Sequence, residues 1–197
     1  MKPYSEASER NREPILGVLQ QWFAKPGTVL EIGAGTGQHA VHFAQHLPHL
    51  NWNPTDRAEN LPGIRSWVAE SGVANLSDPQ PLDVVVHPWP IERADYVFTA
   101  NTAHIMSWKE VEALFEGVAG VLEPRGVFAL YGPVNRDGEF TSESNRTFDG
   151  MLRARDPLMG IRDDRALIAL GRRVGLTCVA DNSMPANNRL LIWSKER

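Results

Sequence analysis

Two spacings of apolar residues alternate along the chain. Ile15, Leu19, Trp22 and Phe23 recur at three- and four-residue intervals, one side of a helix over residues 10–23 that Pro26-Gly27 stops. Residues 28–32 are mostly apolar without a period, the pattern of a strand buried on both faces. The alternation continues with a helix over 38–47 ending before Pro48, a strand over 51–56, and a helix marked by Ile64, Trp67 and Val68 that Gly72 ends. Short strands follow over 81–83 and 95–101. Ser107-Trp108-Lys109-Glu110 reads as a capping box, opening a helix with Val111, Leu114, Phe115 and Val118 on one side. A strand is expected after residue 121, then a short helix over 145–153. A later helix, capped by Asp163 or Asp164, carries Leu167, Leu170 and Val174 as far as Gly175. Strands over 176–181 and 190–193 are joined by a loop too short for a parallel crossover, so they form an antiparallel hairpin. The whole predicts an α/β fold with a doubly wound, mostly parallel sheet.

The glycines concentrate the chemistry. Val29-Leu30-Glu31-Ile32-Gly33-Ala34-Gly35-Thr36-Gly37 ends a buried strand in an acidic residue and a G-x-G-x-G turn. Such a turn lets a ligand lie against bare backbone at the strand's C-terminal end. The dinucleotide pattern G-x-G-x-x-G would need glycine at position 38, which is Gln38. Asp56, about twenty residues past the last glycine, stands where a doubly wound sheet carries a carboxylate for ribose hydroxyls. Asp83, ending the next strand, is placed to accept from an adenine amino group. With Glu31 these make an acidic rim without a nearby Lys or Arg to match a pyrophosphate. S-adenosylmethionine has no phosphate and carries a sulfonium and an ammonium, so it fits better than a dinucleotide; a nicotinamide dehydrogenase is the weaker alternative.

These residues resemble the class I S-adenosylmethionine-dependent methyltransferases. The resemblance extends through Asp95-Tyr96-Val97-Phe98-Thr99-Ala100-Asn101 and through Val121-Leu122-Glu123-Pro124-Arg125-Gly126, where Arg125 replaces the first glycine of the common pattern. Tyr131-Gly132-Pro133, Thr141-Ser142-Glu143-Ser144-Asn145, Phe148-Asp149 and Met184-Pro185-Ala186-Asn187-Asn188 are similar to the family that includes methyltransferase-like protein 26 of animals, over the whole chain. The resemblance implies a seven-stranded Rossmann-like methyltransferase sheet with the C-terminal hairpin. It also implies that Glu31, Gly33, Ala34, Gly35 and Gly37 cradle the amino-acid end of S-adenosylmethionine, that Asp56 holds the ribose, that Asp83 recognises adenine, and that Asn101 faces cofactor and substrate. It supplies no acceptor.

Other residues acquire meaning from this topology. Open α/β sheets bind ligands at strand C-termini. The segment over 132–155 and the loop at Met184 to Asn188 are expected on that rim, bringing Asn145, Arg146 and Asn187 over the cofactor as substrate-binding groups. Arg146 could pair with an acceptor carboxylate. His104, just after the fourth strand, reads either as a general base with a pKa near working pH or as a hydrogen-bonded fastener of its loop. Tyr131 is either a substrate contact or a rim residue of the core, and Glu31 either meets the cofactor or bonds amides in the turn. Asn101 is not followed by Pro-Pro-Tyr, which weighs against methylation of nucleobase amines. On a helical wheel His39, His42 and His46 lie opposite Ala40, Phe43, Ala44 and Leu47, a solvated face with no thiolate or carboxylate to complete a metal site.

Composition narrows the classes. The 197 residues show no composition shift that marks a linker and read as a single domain, 1–197. A net charge of -4 opposes tight non-specific binding to nucleic acid. The lone cysteine, Cys178, rules out a disulfide framework and suits a reducing compartment. With no signal-like apolar start and no run of eighteen apolar residues, the expected location is cytoplasmic, without a membrane partner. The function this predicts is methyl transfer from S-adenosylmethionine to a small or medium-sized polar acceptor, with His104, Asn101 and Tyr131 nearest the chemistry. The alternative is a non-catalytic S-adenosylmethionine-binding or interaction protein on the same fold.

Overall fold

The computed structural model describes residues 2–196. Helix α1 (Glu6–Trp22) leads into strand β1 (Gly27–Ile32), α2 (Gln38–His46), β2 (Leu50–Asp56), α3 (Leu61–Ser71), β3 (Gln80–Pro81), β4 (Ala94–Ala100), α4 (Trp108–Val121) and β5 (Leu122–Gly132). Then come β6 (Val134–Asn135), α5 (Glu143–Arg155), β7 (Arg162–Asp163), α6 (Asp164–Arg173), β8 (Leu176–Met184) and β9 (Asn188–Lys195). Seven strands form one sheet in the order β3-β2-β1-β4-β5-β9-β8, and β6 and β7 pair separately. β9 is antiparallel to both its neighbours, so β8 runs parallel to the central strands. This is a mostly parallel, Rossmann-like seven-stranded sheet with the expected C-terminal hairpin.

The strands are apolar on both faces because both are covered. Leu30, Val97, Phe128, Leu130 and Trp193 point toward α4 and α6, against Val111, Phe115, Val118, Leu167 and Leu170. Their alternating neighbours Val29, Phe98, Ala129 and Ile192 point the other way, against Ile15 and Leu19 of α1 and Ala40 and Phe43 of α2. Among the described residues no helix is long and apolar enough to cross a membrane.

Helix α5 belongs to neither layer. Its buried residues are Asn145, Asp149 and Leu152, and it lies at the rim that the C-terminal ends of the parallel strands share. Asp149 fixes it there: one carboxylate oxygen accepts from the Ile161 N–H at 2.7 Å and the other from Arg153 Nε at 2.7 Å. Asn145 Nδ2 donates to the carbonyl of Asn187 at 3.1 Å, tying the helix start to the β8–β9 turn.

Several boundaries depart from the sequence reading. α1 begins four residues before the expected start, because the Ser5 hydroxyl accepts from Ser8 N–H and caps a first turn with no large apolar residue to advertise it. Its N-terminal approach is strapped down by Pro3, whose carbonyl accepts from Trp67 Nε1 at 2.7 Å, and by Ser5 N–H, which donates to Gln38 Oε1 at 2.6 Å. β3 is a two-residue strand that stops before Asp83, so that carboxylate stands on the turn that follows. The wheel-based placement of the histidines is also corrected. α1 packs over α2, and His39 and His42 are buried; His46 alone of the three is exposed.

Candidate active site

The rim of the sheet encloses a cavity of about 850 Å³, within the range of small-molecule sites. It is built from the ends of β1, β2 and β4, the turn after β3, the start of α1, α5 and the β8–β9 turn. Gly33, Ala34, Gly35 and Thr36 supply its floor. Gly33 and Gly35 have φ of 73° and 60°, the left-handed region that favours glycine. A Cβ on Gly33 would stand 2.5 Å from Thr102 Cγ2, whereas one on Gly35 meets nothing within 4 Å. The first glycine therefore serves closure of the loop, and the second leaves room above the turn.

Asp56 sits beside that turn. One oxygen accepts from Gly35 N–H at 2.7 Å, the other from Arg57 N–H at 2.7 Å and Asn60 Nδ2 at 2.8 Å. A carboxylate has about four acceptor positions, so one remains for a ligand hydroxyl. Asp83 also lines the cavity, with its carboxylate accepting from Val85 N–H at 3.2 Å. The adjoining cation, Arg57, is engaged by Glu110 at 3.0 Å and stands 3.8 Å from Asp83. Among the described residues no unpaired Lys or Arg stands by the glycine turn to neutralise a pyrophosphate, while bare backbone and a carboxylate with a spare acceptor are present. That donor set fits S-adenosylmethionine, which has no phosphate to neutralise.

The expected site residues divide. Asn101, His104 and Asn145 line the cavity together with Gly33, Ala34, Gly35, Asp56 and Asp83. Asn101 N–H donates to the Tyr131 carbonyl at 2.8 Å, and its side-chain oxygen and His104 Nδ1 both stand 3.7 Å from where a Gly132 Cβ would be. His104 is buried, meets Phe148 edge-on at 5.3 Å, and has no hydrogen-bond partner for its ring among the described residues. Burial, and then the positive charge of Arg162, lower its pKa to about 4. The expectation of a pKa near working pH is thereby corrected: the imidazole is neutral at neutral pH and a weak base.

Glu31 does not reach the cavity. Its carboxylate accepts from Trp52 Nε1 at 2.7 Å beneath the turn. Burial raises its pKa to about 8, against the lowering effect of that bond, and nearby Asp56 raises it further. Because the folded pKa lies above the unfolded value, wild type loses stability relative to Glu31→Gln as pH rises from about 5 to 8. The expected slope is about 1.4 kcal/mol per pH unit. Urea unfolding at a series of pH values reads this directly; a pH-independent gap would show that Glu31 is ionised in the fold.

Gly37, Tyr131, Arg146 and Asn187 also lie off the cavity wall. Gly37 caps α2, and a Cβ there would crowd Ile64 Cα at 3.1 Å, so it serves helix packing. Tyr131 is buried in the core, and burial raises the pKa of its phenol against the lowering effect of the neighbouring Asn11 and Asn188 side chains. Arg146 turns outward, 3.4 Å from Glu143 and over the Phe140 ring. At the hairpin turn it is Ala186 and Asn188 that face the cavity. Sequence reasoning missed His39, which lines the cavity with Nε2 2.7 Å from Asn11 Oδ1. Of the N-terminal segment, where Tyr4, Arg10 and Asn11 are the sequence's candidates to fold over the cofactor, it is Ser5, Ala7 and Ser8 that line the cavity.

A family model described as a protein of unknown function, DUF938, matches residues 2–195. The chain belongs to that family. The DUF938 chain also superposes on solved structures. With SibL, an S-adenosylmethionine-dependent methyltransferase in its apo form, the TM-score is 0.81 at 22% identity, over 96% of this chain and 56% of that one. An O-methyltransferase family 2 protein from Planctomyces limnophilus, in complex with apigenin, gives 0.84 at 16% identity, over 96% and 57%. YcgJ from Bacillus subtilis gives 0.74 at 18% identity, over 94% and 99%. The DUF938 chain thus spans little more than half of the first two proteins and nearly all of the third. At these identities the likeness establishes a common fold.

Proposed function

We propose that the chain is an S-adenosylmethionine-dependent methyltransferase acting on a small or medium-sized polar acceptor. The observation that carries this reading is the convergence, in one cavity, of the glycine turn, Asp56 and the neutral, unpartnered His104. The similarity to the methyltransferase-like protein 26 family and a cytoplasmic location belong to the same reading. S-adenosylmethionine, when bound, supplies a methyl group on a positively charged sulfur that departs as a neutral thioether. The residues that would hold it are Gly33, Ala34 and Gly35 at the turn, Asp56 at the ribose and Asp83 at the adenine.

The chain's own task is then alignment and exclusion of water. Asn101 and His104 flank the position where an acceptor must lie. Asn145 and Asn188 close it from the roof, in place of Arg146 and Asn187. His104, uncharged down to pH about 4, orients the acceptor by a hydrogen bond; a base this weak leaves any acceptor proton to pass to solvent. Tyr131 stands behind this roof, its hydroxyl near the Asn188 side chain.

Thermal unfolding with S-adenosylhomocysteine and with NAD tests the cofactor class. At one hundred times its dissociation constant S-adenosylhomocysteine should stabilise the fold by about 2.7 kcal/mol, with no shift from NAD. Stabilisation by NAD alone, or by neither, would overturn the proposal. Methyl transfer to an acceptor panel then separates an enzyme from a non-catalytic binder.

A further inference from the structure

The cavity wall is divided in charge. Its carboxylates, Asp56, Glu59, Asp83 and Glu110, stand at the end of β2, in the segments after β2 and β3, and at the start of α4. The opposite side is α5 with the segment behind it, and the one charged residue it gives to the cavity wall is Arg155. α5 turns Asn145, Phe148 and Arg155 to the cavity, positions that share one helix face. The other arginines of this helix are engaged, Arg146 by Glu143 and Arg153 by Asp149. Arg155 forms no ion pair among the described residues, and its guanidinium is exposed at the cavity wall.

A second arginine stands behind the same side. Arg162 donates to the carbonyls of Ala103 at 3.0 Å, of Leu158 at 2.9 Å and of Met106, with no carboxylate within ion-pair distance among the described residues. Its charge reaches His104, whose ring stays neutral and adds no compensation. The same cavity is lined by the apolar side chains of Phe148, Ile105, Met106 and Met159. An ammonium-bearing acceptor placed against Phe148 would lose hydration beside a like-charged guanidinium. A carboxylate would meet a free guanidinium able to bind it with two parallel hydrogen bonds.

We infer that the acceptor is a small aromatic carboxylic acid, with its ring against Phe148 and its acid group on Arg155. This rests on the methyltransferase reading for the role of the ligand, but its recognition chemistry is tested without turnover. Protein saturated with S-adenosylhomocysteine is titrated, by ligand-observed NMR, with 4-hydroxybenzoate, 4-hydroxybenzyl alcohol and tyramine, which share a ring and differ in charge. The acid should bind at least tenfold more tightly than the alcohol, and the amine most weakly. Arg155→Ala should abolish the preference; Arg146→Ala, on the same helix but outside the cavity, should retain it. Equal affinities, a preference for the amine, no binding by any of the three, or a preference that survives in Arg155→Ala would overturn the inference. S-adenosylhomocysteine binding is read in the same samples. If it binds and the acid is not preferred, only the acceptor class falls; if it does not bind, the methyltransferase reading falls and this inference with it.

Discussion

Asp56→Ala is expected to weaken S-adenosylhomocysteine binding by about ten- to a hundredfold. A hydrogen bond to a charged group is worth roughly 1.5–3 kcal/mol, and each 1.4 kcal/mol is about tenfold in affinity. The carboxylate acts twice. It would accept from the ribose with its remaining acceptor position, and it holds the turn by accepting from Gly35 N–H, Arg57 N–H and Asn60 Nδ2. His104→Ala, by contrast, removes a cavity-lining ring that has no hydrogen-bond partner among the described residues, so cofactor affinity should change little. Calorimetric titration of both variants measures the contrast. Equal dissociation constants for wild type and Asp56→Ala would remove the ribose assignment.

The largest loss of stability is expected at Arg189, a residue remote from the chemistry. Its side chain is 5% exposed and stands between Asp164, at 2.9 Å, and Asp181, while also donating to the Asn135 carbonyl at 2.9 Å. It thereby joins β9 to β8, to the start of α6 and to β6, the strand leading toward α5. Breaking a buried ion pair by removing one partner costs about 3–5 kcal/mol, because the other charge is left uncompensated. Arg189→Ala should lower the unfolding free energy by that order in urea titrations. Asp164→Asn with Asp181→Asn in the same chain should recover part of the loss, because the stranded charges are gone. A loss under about 1 kcal/mol would mean that solvent reaches this cluster freely.

The order of the elements was legible because burial on both sheet faces leaves a strong signal. Apolar runs such as 28–32 and the capping box at Ser107 need no tertiary knowledge to interpret, and both stand where expected. Asp56 and Gly35 were legible for a related reason: strand ends and glycine turns have fixed places in a doubly wound sheet. The failures came where one element lies over another. A wheel separates the faces of α2 but cannot show that α1 covers the polar one, burying His39 and His42. Neighbouring positions on α5 point to opposite environments, so Asn145 faces the cavity while Arg146 meets Glu143 outside it. The same one-residue ambiguity at the hairpin exchanged Asn187 for Asn188. Glu31 shows a further limit, since the pattern places an acid at the strand end but gives no hint that Trp52, across the parallel register on β2, occupies its carboxylate.

The central claim is that S-adenosylmethionine lies on the Gly33–Gly35 turn with its reactive end toward Asn101 and His104. A crystal structure of the protein with S-adenosylhomocysteine tests it most directly. A ribose hydroxyl is expected within hydrogen-bond distance of Asp56, the adenine beside Asp83, and the sulfur facing the space between Asn101, His104 and Phe148, with Arg155 at the wall of the remaining volume. Ligand bound outside this cavity, or bound within it with the sulfur turned away from Asn101 and His104, would contradict the account.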